Sequence, residues 1–384
     1  MRAVQTAGAN ALLLTHGADV RYLSGFTGSS GAVALLGGRA TLFTDGRYAN
    51  QARAEAKGLR VVIDKRPPAI PAVEWLASSG ATRCAFDADL TTVASLERMK
   101  KILPQPLRRG FFLPTEGLVA RLRQIKDQDE VAHLRRAAAI GCELFHMVLE
   151  YVTSSATELQ VAAQLEFMAR LAGAEAMSFE TIVASGERSA LPHGRATSAQ
   201  LPTQGFVTLD FGILLDGYCS DMTRTVHLGR ATEQEWQVYH SVLEAQQAAI
   251  AAVAAGVRCA DVDEAARSVL RRAGLEKEFA HSTGHGVGLE IHEGPRIAAG
   301  QEQILEAGMI ITIEPGAYLS GSPGSSASKP DAMAARRSRV VSSRSRGVPS
   351  MAKGFGVRIE DMLLVTENGC EVLTAASSKE WMEL

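Results

Sequence analysis

The chain has 384 residues, with 40 lysines and arginines against 42 aspartates and glutamates. This length suits about two domains, and the near-balance of charge argues against nucleic acid or an anionic membrane as a partner. The five cysteines form no CxxC pair, which argues against a disulfide framework or a thiolate zinc site and predicts a cytoplasmic protein. A peptide or small-molecule substrate is therefore the better expectation.

Residues 1–114 alternate short apolar runs with helix-like stretches. The apolar runs include ALLLTH, AVALLG and ATLFTD, and VASLERMKKI has the period of a helix. Such alternation predicts a small α/β domain. The stretch LPQPLRRGFFLPTEG contains three prolines and marks the predicted border, so the second domain is expected to cover 115–384.

The second domain is predicted to begin with a long helix over about 127–151. Further helical patterns cover 157–173, 231–255 and 260–273. Strand-like segments lie around 178–186, 206–229, 287–293, 309–319 and 355–366. This order predicts an α+β domain made of two similar halves around an antiparallel sheet.

Residues 320–353 differ in composition from the rest of the second domain. They are rich in serine, glycine and proline, and seven lysines and arginines stand against the single acid Asp331. Such a segment buries too little apolar surface to offset its ordering entropy, which predicts a flexible surface insertion. A basic patch for an acidic partner is the alternative interpretation.

Two acids of the second domain lie on neighbouring predicted strands. Asp210 stands within the apolar run VTLDFG, and Asp221 follows in YCSDMTRT. A tight Asp216-Gly217 turn between the strands would bring both carboxylates to one end of a hairpin. Taken alone, Asp210 could be an edge-strand carboxylate or a turn acceptor, and Asp221 could be a hairpin side chain facing water. Two adjacent carboxylates repel each other, however, and therefore favour a bound cation.

Three further side chains extend this set. His285 lies between glycines in GHGVG, and Glu314 and Glu360 are predicted on the apolar strands of ITIEPG and VRIED. A histidine in a glycine turn can have a purely structural role instead of binding a metal. Buried glutamates, in contrast, are rarely present for stability alone. Oxygen donors with one imidazole match manganese, cobalt or zinc, and bridging carboxylates hold two such ions about 3.5–4 Å apart.

The ordered motifs VTLDFG, SDMTRT, GHGVG, IEPG and RIED resemble those of the pita-bread metallopeptidases, which include methionine aminopeptidase, aminopeptidase P and prolidase. The stretches VRYLSGFTGSSG and LFTDGRY are similar to the non-catalytic first domain of the proline-specific members and of creatinase. The resemblance implies an α+β fold, with a C-terminal pita-bread (creatinase/aminopeptidase) domain after a smaller N-terminal α/β creatinase-like domain. It also implies a homodimer.

The resemblance implies roles for individual residues. Two divalent ions, manganese first and cobalt or zinc as alternatives, would be held by Asp210, Asp221, His285, Glu314 and Glu360. His193 and His292 would contact the scissile carbonyl and stabilise its oxyanion. Glu314 would take the proton of a metal-bridging water that attacks this carbonyl. His281 would line the substrate pocket, and Arg358 would pair with the metal-site acids.

The resemblance leaves the substrate open. An Xaa-Pro dipeptidase (prolidase) is preferred, an aminopeptidase P acting on longer peptides is the alternative, and a catalytically inactive binding protein with the peptidase fold is a third possibility. Creatinase lacks the metal set, and methionine aminopeptidase lacks the first domain. Arg296 and the segment between Leu319 and Phe355 are the features expected to shape the end of the cleft.

Overall fold

The computed structural model of the chain describes residues 1–321 and 354–384. The predicted insertion at 320–353 therefore falls almost entirely outside the described residues, and its flexibility stays a prediction. Within the described part of the chain, no helix combines the length and the apolar character that a bilayer crossing requires.

The first domain is built on one six-stranded mixed sheet. Its strands are β1 (Ala11–Leu14), β2 (Gly31–Leu36), β3 (Arg39–Thr44), β4 (Arg60–Ile63), β5 (Cys84–Asp87) and β6 (Phe112–Thr115). Its helices are α1 (Arg2–Thr6), α2 (Gly17–Ser24), α3 (Ala49–Glu55), α4 (Ala69–Ser78) and α5 (Val93–Ile102). The strand order is β4-β3-β2-β1-β5-β6, so β1 lies near the middle of the sheet.

Both faces of this sheet are covered by helices. Leu13 of β1 packs in a cluster with Leu76 of α4, whereas its neighbour Leu12 packs in a second cluster with Val20 of α2. Successive side chains of a strand point to opposite faces, so a strand buried on both sides is apolar throughout. Because β1 is covered on both faces of the sheet, all four of its residues, ALLL, are apolar.

The second domain contains two helix pairs, each with its own apolar cluster. Its helices are α6 (Ala120–Gln124), α7 (Gln128–Val148), α8 (Glu158–Leu171), α9 (Glu233–Ala252) and α10 (Cys259–Arg272). The pair α7 and α8 packs on one set of strands, and the pair α9 and α10 packs on the other. Three helix starts are fixed by reciprocal capping boxes, at Asp127, Thr157 and Thr232.

The strands of the second domain form short antiparallel sheets. In the first half they are β7 (Ala176–Met177), β8 (Ile182–Ser185), β9 (Gly205–Phe211), β10 (Ile213–Leu215), β11 (Tyr218–Cys219) and β12 (Met222–Leu228). In the second half they are β13 (Gly284–Gly286), β14 (Glu293–Ile297), β15 (Ile310–Ile313), β16 (Gly316–Leu319), β17 (Phe355–Arg358), β18 (Asp361–Thr366) and β19 (Gly369–Val372). The prediction of a strand over 287–293 is wrong, because residues 287–292 form the connection between β13 and β14.

A buried arginine holds the sheets of the two halves together. Arg224 of β12 is 2% exposed, and its guanidinium lies 2.7 Å from the Asp361 carboxylate at the start of β18. It also donates to the carbonyl oxygens of Ser377 and Ser378. Lys379 and Gln246 complete the shell around the same carboxylate, at 2.6 and 2.8 Å. Each buried charge is therefore hydrogen-bonded.

Replacing Arg224 by methionine is expected to lower the free energy of unfolding by about 3–5 kcal/mol, because removing one partner leaves a buried carboxylate short of its counter-charge. Urea denaturation followed by circular dichroism measures this change. The matched control is Arg135→Met, which breaks the half-exposed pair with Glu371 and should cost less than about 1 kcal/mol. Equal effects of the two substitutions would contradict the prediction.

Candidate active site

A cavity of about 760 Å³ opens in the second domain, and every residue predicted to act in the site lines it. These residues are His193, Asp210, Asp221, His281, His285, His292, Glu314, Arg358 and Glu360. They come from loops and strands of both halves. The fold thus brings together side chains that are far apart in the sequence.

Asp210 lies on β9, and Asp221 directly precedes β12, the strand that pairs with β9. Thr223 is opposite Asp210 in the ladder, and Asp221 lies two residues before Thr223, at the same end of the pair. The predicted Asp216-Gly217 turn is present, with both residues at positive φ, 49° and 78°. The hairpin therefore holds both carboxylates at the floor of the cavity.

His285 is held close to the acids by its glycine neighbours. A Cβ atom at Gly284 would lie 1.9 Å from the carbonyl oxygen of Thr312, so only glycine lets β13 approach β15 this closely. The Nε2 atom of His285 lies 3.6 Å from Asp221 and 3.5 Å from Glu314. Its Nδ1 atom lies 3.0 Å from the carbonyl oxygen of Gly286, which favours a tautomer with the Nε2 lone pair facing the carboxylates.

The two glutamates lie at breaks between strands, which differs from the prediction that they stand within strands. Glu314 lies between β15 and β16, where Pro315 follows it and interrupts the ladder. Glu360 lies between β17 and β18, and its carboxylate accepts a hydrogen bond of 2.6 Å from Thr223. The breaks let both side chains turn into the cavity.

The four carboxylates of the cavity carry more negative charge than the neighbouring basic side chains can neutralise. Four buried or nearly buried carboxylates meet here, those of Asp210, Asp221, Glu314 and Glu360. Burial, and then the neighbouring carboxylates, raise the pKa of Asp221 and of Glu360 well above the usual range. Burial also raises the pKa of Glu314, to about 7. Such carboxylates hold protons until a cation displaces them.

The donor set fits divalent cations. One donor atom each from Asp221, His285 and Glu360 lies within 4.8 Å of the others. Burial lowers the pKa of His285 to about 4, so the imidazole is neutral near pH 7 and free to ligate. Oxygen donors with one neutral imidazole suit hard to borderline divalent metals.

Arg358 supplies a positive charge at the edge of the acid cluster. Its guanidinium is buried and contacts the Asp210 carboxylate. It also donates to the hydroxyl oxygen of Tyr318 at 2.8 Å and to the carbonyl oxygen of Pro192 at 2.9 Å. Arg358 thereby connects the acid cluster to the loop that carries His193.

The three remaining histidines line the cavity near the acids. The ring of His292 lies 4.4 Å from that of His285, centroid to centroid, in an edge-on arrangement. His281 lies farther along, with its Nε2 atom 3.0 Å from the Tyr318 hydroxyl. Burial lowers the pKa of His281 to about 4 and also lowers the pKa of His292. A neutral imidazole at position 281 or 292 can donate one hydrogen bond from one ring nitrogen and accept one at the other.

Tyr318 was missed in the sequence analysis. Its hydroxyl joins His281 to Arg358, and burial raises its pKa to about 12, so it stays protonated and can donate. The available signal was a tyrosine four residues after Glu314, within a strand otherwise made of small and apolar residues. Thr223 was missed in the same way, because a threonine on a strand is common.

Comparison with known proteins adds an independent observation. The family model for metallopeptidase family M24 matches residues 132–367, and the model for the creatinase/prolidase N-terminal domain matches residues 2–125. The chain belongs to metallopeptidase family M24. The predicted fold class is thereby confirmed: this M24 protein has a pita-bread catalytic domain preceded by a creatinase-type domain. It is a metallopeptidase, and the family implies divalent metal ions.

Relatives of this M24 chain cover nearly its full length. An uncharacterized peptidase of Bacillus subtilis is 33% identical over 96% of this chain and 94% of its own. The Xaa-Pro dipeptidase of Pyrococcus furiosus is 33% identical over 93% and 90%. Among solved structures, the Xaa-Pro dipeptidase from Bacillus anthracis superposes with a TM-score of 0.87 at 36% identity, covering 100% of this chain and 97% of that one. The X-Pro aminopeptidase from Thermotoga maritima gives 0.82 at 29% identity, with full coverage of both chains.

Proposed function

We propose that this M24 peptidase is a dinuclear-metal exopeptidase that hydrolyses the peptide bond before proline, with Xaa-Pro dipeptides as its preferred substrates. The observation that carries the proposal is the cluster of four carboxylates and one imidazole at the floor of the cavity. Its excess negative charge is explained by bound cations. The relatives named as Xaa-Pro dipeptidases support the choice of substrate.

The proposed ligands are the acids and the imidazole described above. Asp210, Asp221, His285, Glu314 and Glu360 would hold two divalent ions. Manganese is the first choice because the set is rich in oxygen, and cobalt and zinc are the alternatives. When bound, such a pair of ions acidifies a water molecule and polarises the scissile carbonyl.

The chain's own residues would then move the proton and stabilise the developing charge. The Glu314 carboxylate accepts the proton of the attacking water and passes it to the proline nitrogen as the peptide bond breaks. His292 and His193 donate hydrogen bonds to the oxyanion that forms on the carbonyl oxygen. The lowered pKa of His292 suits this role, since its neutral imidazole keeps one N–H donor.

The lining of the cavity supports a short substrate. Arg296 lines the same cavity as the histidines, and a guanidinium there can pair with the free carboxylate of a dipeptide that ends in proline. Phe179 and Ile291 add apolar surface suited to the proline ring. An aminopeptidase P that accepts longer peptides is the second candidate, because the X-Pro aminopeptidase from Thermotoga maritima matches over the full chain.

Hydrolysis of two peptides tests the proposal. The metal-stripped protein, reloaded with manganese, is expected to release free alanine from Ala-Pro but not from Ala-Pro-Ala, measured by amino-acid analysis. Ala-Ala is the control for proline dependence and should stay intact. Cleavage of the tripeptide would instead indicate an aminopeptidase P, and no cleavage of either peptide with metal bound would favour the inactive binding protein.

The proposal also includes the border between the two domains, the oligomeric state and the cellular location of the protein. We place the border near residue 115, at the end of β6, the last strand of the first sheet. A homodimer and a cytoplasmic location, expected from the sequence, stay predictions. Light scattering on the purified protein would measure the mass of the assembly.

A further inference from the structure

A cluster of ionic side chains joins the first domain to the wall of the catalytic cavity. We call it the Arg123 cluster. It consists of His16, Asp19, Arg123, Lys126, Glu290 and Glu293. Three of its groups are basic and three are acidic, so the charges balance when His16 is protonated. None of these residues belongs to the proposed metal site or to the catalytic histidines.

Arg123 is the centre of the cluster. Its side chain is 2% exposed and lies on α6, between the two domains. One guanidinium nitrogen, Nη1, lies 2.9 Å from the carboxylate of Asp19, on α2 of the first domain. The other, Nη2, lies 2.7 Å from Glu290 and also contacts Glu293. A single planar group thus links three carboxylates from two domains.

The outer members of the cluster hold the same two glutamates. Lys126 lies 3.2 Å from Glu293, and the Nε2 atom of His16 lies 3.1 Å from Glu290. The carboxylates of Asp19 and then Glu290 raise the pKa of His16 to about 9, so this imidazole is a cation near pH 7. Burial opposes the ionisation of Glu290, yet the hydrogen bonds from His16 and Arg123 outweigh it and lower its pKa to about 2. The contacts of Glu290 with His16 and with Arg123 are therefore ion pairs.

The two glutamates flank the residues that reach into the cavity. Residues 287–292 connect β13 to β14, which begins at Glu293, and the backbone N–H of Glu290 donates to the Glu293 carboxylate at 3.1 Å. Ile291 and His292, between the two glutamates, both line the cavity. Gly288 lies so close that a Cβ atom there would be 2.6 Å from the Glu293 carboxylate. The connection is therefore tightly packed around its acids.

We propose that Arg123 is a positioning residue for His292: anchored on Asp19 of the first domain, it fixes the 287–292 connection and so sets the place of the imidazole in the cavity. The inference rests on the proposed function of His292. It also assigns the first domain a part in turnover, because the arginine keeps its orientation only while Asp19 holds one nitrogen. Without Arg123, Glu290 would keep only His16 and Glu293 only Lys126 as a cationic partner, so the repulsion between the two carboxylates would shift the connection.

Replacing Arg123 by glutamine is expected to lower kcat for Ala-Pro on the order of 10-fold or more, as for other groups that orient a catalytic side chain. KM should change by less than about twofold, and metal content should be retained, because no proposed ligand is touched. Arg123→Lys keeps one charge and should recover part of the rate. Asp19→Asn, which removes the charge of the first-domain partner of Arg123, should also lower kcat. It replaces Arg123→Gln as the test if that variant folds poorly.

The matched control is Arg66→Gln, which breaks the exposed pair with Glu74 within the first domain and should leave kcat unchanged. A double variant separates positioning from a general structural effect. Adding Arg123→Gln to His292→Ala should change kcat by less than about twofold, since the imidazole that Arg123 positions is already gone. A second full loss of rate in the double variant would overturn the inference.

Hydrogen exchange of the metal-free protein gives a readout that needs no activity. Arg123→Gln should speed exchange in 286–293 and leave that of the buried strand 205–211 unchanged. Unchanged exchange in 286–293 would overturn the inference even if Ala-Pro is cleaved. If exchange rises but the parent protein cleaves neither peptide, the proposed function fails while the positioning of this connection stands.

Discussion

Replacing Asp221 by alanine is expected to remove at least one bound divalent ion and to abolish nearly all hydrolysis of Ala-Pro. This carboxylate is buried at the floor of the cavity, and its donor atom lies within 4.8 Å of those of His285 and Glu360. The resemblance to the pita-bread metallopeptidases implies that Asp221 and Glu360 would each bind both ions, so the loss of either should be more damaging than the loss of a ligand to one ion. Glu360→Ala should behave in the same way. Elemental analysis of the purified variants gives metal content, and amino-acid release gives activity.

Asp216→Asn provides the matched control for Asp221→Ala. Asp216 lies on the same hairpin with its side chain half exposed, and asparagine tolerates the positive φ of 49° at this position. This variant should keep both the metal and the activity of the parent. Full metal content together with normal turnover in Asp221→Ala would contradict the two-metal proposal.

Replacing His292 by alanine is expected to lower kcat by about 10²–10³ while metal content stays unchanged, because a donor to the oxyanion is lost. The same result is expected for His193. Metal analysis and kcat for Ala-Pro measure the two effects separately. His146, exposed on α7 and outside the cavity, provides the control, since His146→Ala should keep the parental rate. Loss of metal in His292→Ala would show that this histidine is a ligand.

The acid cluster could be predicted because its determinants are local. An Asp-Gly pair between two apolar runs specifies a hairpin, and that hairpin alone brings Asp210 and Asp221 together. The glycines around His285 are needed because a Cβ atom would collide with a neighbouring strand. Both signals are visible within a few residues of the side chain that they position. Comparison of the motifs with a known family then supplied the order and the roles.

Strand ends were harder to predict than strands. Glu314 and Glu360 were predicted within apolar strands, yet each lies where one strand stops and the next begins. Alternation of apolar residues continues across such a break, so the sequence pattern does not reveal it. Pro315 is a local signal for the first break, because it has no N–H to donate. The connection at 287–292 was predicted as a strand for the same reason.

The Arg123 cluster could not be predicted from sequence, because its contacts are between distant parts of the chain. Arg123 meets Asp19, Glu290 and Glu293 at separations of 104, 167 and 170 residues. Each of these residues alone resembles an ordinary surface charge, which is the commoner outcome for such side chains. The fold of the second domain brings Arg123 to Glu290 and Glu293, and the docking of the first domain adds Asp19.

The pairing of β16 with β17 has a consequence for how the enzyme can vary. Leu319 and Phe355 face each other at the end of this ladder, so the chain leaves and re-enters the hairpin at neighbouring points. Glu314 and Glu360 are then kept in register by backbone hydrogen bonds of the ladder, whatever the length of peptide between its strands. Because closure entropy grows only slowly with length, this is a position where a peptidase can gain or lose sequence without altering the residues proposed to hold its metals.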